Sequence, residues 1–274
     1  MICGRVVLHC GNTTAMRQSR ASGALLALVA LFGCLRVRSD GSAYAPSRMN
    51  VLPRLTLWAW ERREDLRGFD PKKFAIAYLD QTLTIDGTGV RSQPRRDPVA
   101  FSASAKRMPV IRIEVGHGAL LDDVDRADAV RAFLNSAREP GIAALQIDFD
   151  ATRSQRQFYR DLILDVRRQM PVGLPLSITA LASWCSWDDW LRGLPVDEAV
   201  PMMFQMEPDR RRAAPDVDDF RIREPLCRGA VGVSTGEPWP SELEGKRIYV
   251  FAEHGWEKDG WRRDLPVSLE TRLP

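Results

Sequence analysis

The stretch LQIDFD, residues 145–150, decides how this chain is read. Successive side chains of an extended strand point to opposite faces. Gln146, Asp148 and Asp150 therefore share one face, and Leu145, Ile147 and Phe149 the other. The apolar set suits packing against an outer layer, which turns the polar set inward. Carboxylates taken out of water must be paired, hydrogen-bonded or wet. The stretch reads as a buried strand that brings Asp148 and Asp150 to a polar site, with Asp150 outermost.

Seven further runs have strand length and are apolar on both faces or nearly so. They lie at residues 54–60 (RLTLWAW), 74–79 (FAIAYL), 109–115 (PVIRIEV), 176–182 (LSITALA), 199–206 (AVPMMFQM), 230–234 (AVGVS) and 247–252 (RIYVFA). Such runs mark a parallel sheet covered on both sides. Helical spacing appears between some of them. Residues 123–138 carry Val124, Ala127, Val130, Ala132 and Leu134 and stop before Pro140-Gly141. Residues 154–170 carry Phe158, Leu162 and Val166, with Tyr159 and Ile163, and stop before Pro171. Residues 186–191 (SWDDWL) suggest a short helix with Ser186 as its N-cap. Eight strands alternating with helices imply a compact (β/α)8 TIM-type barrel. Only residues 61–73 separate the first two strands, so some connections must lack a full helix. A doubly wound open sheet is the alternative, but the glycine-rich phosphate loop that favours it is absent.

The chain has 274 residues, 45% hydrophobic and 27% charged, with a formal net charge of +3, as expected of a globular protein. Basic and acidic residues are interleaved, and no basic stripe with interleaved aromatics suggests nucleic-acid binding. The first 45 residues differ from the rest. Arg17 and Arg20 precede the apolar run at 24–32 (ALLALVALF), which matches a signal-peptide core and is too short to span a bilayer. Residues 1–45 are thus expected to be a signal peptide or lipoprotein leader with linker, and 46–274 a single barrel domain. Two processing sites compete: LFGC, ending at the lipid-acceptor candidate Cys34, and AYA at 43–45. Met16 is an alternative start. The expected location is exported: periplasmic, membrane-anchored through a lipid on Cys34, or secreted. Removal of the leader leaves Cys185 and Cys227, which an oxidising compartment permits to pair or to remain as two thiols. With only His9, His117 and His254, and no cysteine spacing of the right kind, neither a metal site nor a cofactor is expected.

Other strand ends offer partners for the two aspartates. Arg112 and Glu114 share a face of the preceding strand. If that face is inward, Arg112 lies beside Asp148 and holds it ionised, while Glu114 lies beside Asp150 and raises its proton affinity. Gln205 ends the sixth strand, and Glu253 and His254 follow the eighth. Trp58 and Trp60 share the inward face of the first. Trp184, Trp187 and Trp190 follow the fifth, where indole rings can stack on the apolar CH faces of sugars. Ser183 lacks the G-x-S-x-G setting of a serine hydrolase.

The strand AALQIDFDA resembles the D-G-x-D-x-D-x-E strand of family-18 glycoside hydrolases, the chitinase-like barrels. The resemblance places Gln146 and Asp148 at two supporting aspartates and Asp150 at the acid glutamate. MMFQ, ending at Gln205, is similar to that family's M-x-Y-D, and Trp256 stands for the tryptophan that floors its sugar subsite. Residues 54–207 also resemble, more fully, a bacterial exported family known only as a domain of unknown function. The first resemblance implies a polysaccharide or oligosaccharide ligand. It implies Asp150 as general acid and Asp148 as its support; the strand ends themselves offer Glu114 or Glu253 as second carboxylate. Trp58, Trp60, Gln146, Trp184, Gln205, His254 and Trp256 would contact sugar. The chain departs from the pattern where Asp150 replaces Glu, Gln146 replaces a carboxylate, and Phe204 and Gln205 replace Tyr and Asp. An amide cannot transfer a proton as a carboxyl can. A non-catalytic carbohydrate-binding or scaffold barrel therefore stays open beside the hydrolase, as does a structural ion network.

Overall fold

A computed structural model describes residues 47–204, 221–241 and 243–256. The expected leader with Cys34, and Gln205, lie outside the described residues. The strands are β1 (Leu55–Ala59), β2 (Glu64–Asp65), β3 (Phe74–Ile85), β4 (Val90–Pro94), β5 (Val99–Ala100), β6 (Lys106–Val115), β7 (Leu145–Asp148), β8 (Leu176–Leu181), β9 (Glu198–Met202), β10 (Ala230–Ser234) and β11 (Arg247–Phe251). The helices are α1 (Asp123–Ala137), α2 (Arg156–Gln169) and α3 (Ala182–Ser186).

Eight of these strands form one all-parallel ring in the order β1-β11-β10-β9-β8-β7-β6-β3, and β3 pairs back to β1. That closure makes a TIM-type α/β barrel and excludes the open sheet. Each of the eight apolar runs supplies one barrel strand. β4 folds back antiparallel on β3 and lengthens the wall on that side. Its turn uses Gly87 and Gly89 at positive φ, where side chains are disfavoured. Asp86 fixes the turn by accepting from the Thr88 amide and hydroxyl.

The helices follow local chemistry. Asp122 caps α1 by accepting from the Asp125 amide at 2.8 Å, and the Asp125 carboxylate accepts from the Asp122 amide in return. Its buried face is Ala129, Val130, Phe133, Leu134 and Ala137. Val124, expected on that face, is instead 67% exposed in the first turn. α2 buries Phe158, Tyr159, Leu162, Ile163 and Val166, a stripe of helical period, and Arg126 of α1 pairs with its Asp165 at 2.9 Å. The helix expected at 186–191 is displaced: α3 ends at Ser186, where that helix was to begin. Ser186, the expected N-cap, is instead the last residue of α3, and Asp188 beyond it is drawn into an ion pair with Arg156 at 2.5 Å. A disulfide joins Cys185 to Cys227.

Three apolar groups organise the barrel. α1 and α2 cover β6, β7 and β8 on the outside. The outer faces of β1, β10 and β11 are covered by Leu66, Phe69, Trp256 and neighbouring loop residues rather than by helices. The third group fills the interior: Trp58, Ala75, Ala77, Met108, Val110, Val200 and Tyr249, closed from below by Met49 and Leu52. These last two come from the turn Arg48–Val51 and the residue after it, which plug the floor. No helix among the described residues is long and apolar enough to cross a membrane.

Candidate functional site

Because the strands are parallel, their C-terminal ends share one end of the barrel, the mouth, where active sites of this fold form. Gln146 and Asp148 both point inward but do different things. Gln146 is wholly buried, and its amide donates to Ser177 Oγ at 3.0 Å. Ser177 in turn donates to Glu198 Oε1 at 3.3 Å. Glu198 also accepts from the Tyr249 hydroxyl and from Arg247 Nε at 3.4 Å. Arg247 spends another nitrogen on the Leu52 and Pro53 carbonyls, both at 3.0 Å. This network ties the floor plug to the barrel and lies away from solvent. Burial pushes the Glu198 carboxyl above its ordinary range, more than Arg247, Tyr249 and Ser177 pull it down. Gln146 thus belongs to the structural lower layer.

Asp148 sits one level higher. Thr179 donates to it at 2.8 Å and Arg112 at 3.4 Å. Its side chain is 14% exposed, enough to meet the mouth. The sequence suggested that Arg112 keeps Asp148 ionised. Burial outweighs that pairing, and the Asp148 carboxyl is pushed up from its usual range despite Arg112 and Thr179. Arg112 is also bonded to Glu114 at 2.8 Å, so one guanidinium bridges two carboxylates. Its face lies over the Trp60 ring, 5.4 Å from the centroid.

β7 ends at Asp148, two residues before the expected end. Phe149 turns the chain, with the Ala151 amide bonded back to the Phe149 carbonyl at 2.9 Å. Asp150 therefore stands on the loop above the strand. It is exposed and makes no hydrogen bond or ion pair with another described residue. Its charge acts on both Arg112 and Asp148.

Aromatic rings line the mouth on the β1–β11 side. Trp58 and Trp60 meet edge to face at 6.3 Å, and both touch Phe251. Phe251 stacks on Phe204 at 5.5 Å with only 15° between planes. Trp60 joins these rings to the charged row through Arg112. The mouth thus brings together Trp60, Arg112, Glu114, Asp148 and Asp150 of the expected set, with the edge of Trp58 below them.

Other expected contacts lie elsewhere. Trp184 is 2% exposed and packs on Trp190, at 4.8 Å, in the outer core. Trp256 is buried on the outer side of β1, where its indole donates to the Trp58 carbonyl at 2.9 Å and its amide to Glu64 at 2.8 Å. Neither ring faces the mouth. Glu253 and His254 follow β11; Glu253 lies over Gly236, and His254 is almost fully exposed 3.8 Å from it. β11 and β7 are separated by three strands around the ring, so Glu253 follows the strand opposite the one that carries Asp148. Thr179 and Phe251 were not foreseen, although each alternates with an inward polar or aromatic neighbour in its strand. Among the described residues, no three His, Cys, Asp or Glu side chains gather as a metal ion would need. Comparison of the chain with protein-family models, with curated proteins and with solved structures finds no match.

Proposed function

We propose that this protein is an exported, glycoside-hydrolase-like barrel whose mouth takes a cell-envelope or extracellular polysaccharide. One observation carries the reading: an aromatic wall (Trp60, Phe251, Phe204) stands beside a charged row (Arg112, Glu114, Asp148, Asp150) at a single barrel end. A sugar ring has apolar CH faces and a hydroxyl rim. Aromatic faces take the first and charged hydrogen-bonding groups the second. The resemblance of the β7 strand to the family-18 strand points the same way, and the Cys185–Cys227 disulfide is compatible with export.

In the hydrolytic form Asp150 is the proton donor, because it alone of the row stands exposed and unheld by another described residue, free to reach a glycosidic oxygen. Asp148 shapes its field from below, and Glu114 on the neighbouring strand is the second carboxylate. A retaining mechanism needs the two carboxyls about 5–5.5 Å apart and an inverting one about 6.5–9.5 Å. The pairing of Arg112 with both Glu114 and Asp148 favours the second reading, a binding barrel without turnover. A panel of envelope and extracellular oligosaccharides separates them. Turnover by the wild type that Asp150→Asn abolishes gives the hydrolase. Binding that survives Asp150→Asn without turnover gives the binding module. Trp60→Ala weakens either by about tenfold, or ~1.4 kcal/mol. If no saccharide binds, the proposal is wrong.

A further inference from the structure

Three tryptophans follow β8, and they meet different fates. Trp184 and Trp190 are 2% and 9% exposed and fill the outer core. Trp187, between them, is 73% exposed and is the bulkiest exposed apolar side chain among the described residues. An indole buries about 150–250 Å² when it enters a core, so leaving one in water forgoes a large apolar contact. Trp187 is not bare, however. The Arg223 guanidinium lies over its ring, 5.6 Å from the centroid. Arg223 forms no ion pair with any described carboxylate. Of the two acids that follow Trp187, Asp188 is neutralised by Arg156 at 2.5 Å, and Asp189 is exposed.

The pair is held in place by backbone. The Arg223 and Glu224 amides both donate to the Cys185 carbonyl, at 2.9 and 3.1 Å. Cys185 is two residues before Trp187 and is bonded to Cys227. The Trp187 amide donates to the Ser183 carbonyl at 3.0 Å. Indole and guanidinium are therefore assembled before any ligand arrives, which lowers the cost of binding one. Trp187 comes just after α3, which continues directly from the C-terminal end of β8, the end of the barrel at which the mouth lies.

Resting on the saccharide reading above, we propose that Trp187 and Arg223 form a second subsite on the mouth rim that selects a sugar acid. The chemistry specifies the class. Trp187 stays 73% exposed with the guanidinium over its ring, so the uncovered indole surface takes the CH face of one pyranose while the fork takes the carboxylate of the next sugar along the chain. The planar guanidinium fork matches a carboxylate with two parallel, charge-assisted hydrogen bonds, whereas the hydroxyls of a neutral sugar give only weaker, uncharged ones. The polysaccharide that fits both the mouth and the rim contains uronic acid.

The test uses oligouronates and their carboxyl-reduced, neutral counterparts, titrated calorimetrically into the full-length protein. The wild type should prefer the acidic series by about tenfold or more. Arg223→Ala should erase that preference while changing neutral binding less than about twofold, and Arg223→Lys should restore part of it, keeping the charge without the fork. Trp187→Ala should weaken both series by about tenfold. Both side chains are exposed, and unchanged circular dichroism would show that the variants fold. If Trp60→Ala weakens binding while the Trp187 and Arg223 variants bind acidic sugars like the wild type, the mouth stands and the rim subsite is refuted. If neither series binds the wild type, both proposals fall. If Trp187→Ala changes the sedimentation of the protein and not its sugar binding, the pair is a protein contact and the subsite is again refuted.

Discussion

Breaking the Cys185–Cys227 bond should cost this barrel a large part of its stability. The bond closes a loop of sequence separation 42. In the chain-entropy description, the unfolded chain regains about 13 cal/mol/K when such a loop opens, or about 4 kcal/mol at 25 °C. For a domain of this size each kcal/mol moves the melting temperature by about 2–4 °C. The expected fall is therefore about 8–16 °C. Cys185→Ala, Cys227→Ala and the double variant should be melted by circular dichroism beside the wild type, oxidised and reduced. Either single variant removes the whole bond, so the singles, the double and the reduced wild type should all show at least this fall. Both sulfurs are buried, so alanine also leaves a small void, which adds to the fall. A drop below about 2 °C with free thiols confirmed by mass would refute the reasoning, for it would mean that other contacts already restrain the loop. The Arg223 and Glu224 bonds to the Cys185 carbonyl are the candidates for that restraint.

Asp148 makes a prediction with a sign. Its carboxyl is pushed up in the folded state, so the native protein holds that proton to higher pH than the unfolded chain does. Its contribution to stability is then greatest at low pH and is lost as pH rises from about 4 through the folded value. In urea unfolding at stepped pH, Asp148→Asn should gain on the wild type as pH climbs, and parallel curves would contradict the assignment. Arg247→Met should destabilise by about 3–5 kcal/mol, because Glu198 stays buried without its cation; chemical denaturation reads this directly. Glu198→Gln in the same chain should recover part of the loss, and no recovery would remove the ion pair as its cause. Gly232→Ala places a methyl carbon 2.8 Å from Met202 Sδ inside the barrel. It should cost about 1–3 kcal/mol, and Met202→Ala should relieve it in a double-mutant cycle.

The strands were legible because a covered parallel strand is apolar on both faces, and each of the eight runs shows this. Their ends were less so. β7 stops early because Phe149 turns the chain, and β3 runs on to Ile85 because β4 pairs with its far half. Composition alone carries neither signal. The inward row of the site was legible for the same reason as the strands: period two fixes which side chains travel with Asp148. The tryptophans were not, since an indole after a strand looks the same whether it faces the mouth, like Trp60, or the outer core, like Trp184 and Trp256. The floor network was hidden more deeply. Glu198 and Arg247 are the first residues of β9 and β11, and only the placing of these two strands on either side of β10 brings them together.

A closed ring has no free backbone edge, yet the hairpin of β3 and β4 makes one. Among the described strands longer than two residues, β4 alone pairs on one side only. An open edge is a template on which another chain can add a strand. β4 resists this with an exposed sequence that includes Arg91, a charge, and Pro94, which lacks the amide a neighbour would need. Replacing both with valine would leave the barrel intact and turn this edge into a seed for fibrils. The same two residues that contribute little to folding would then govern how long the protein survives at high concentration.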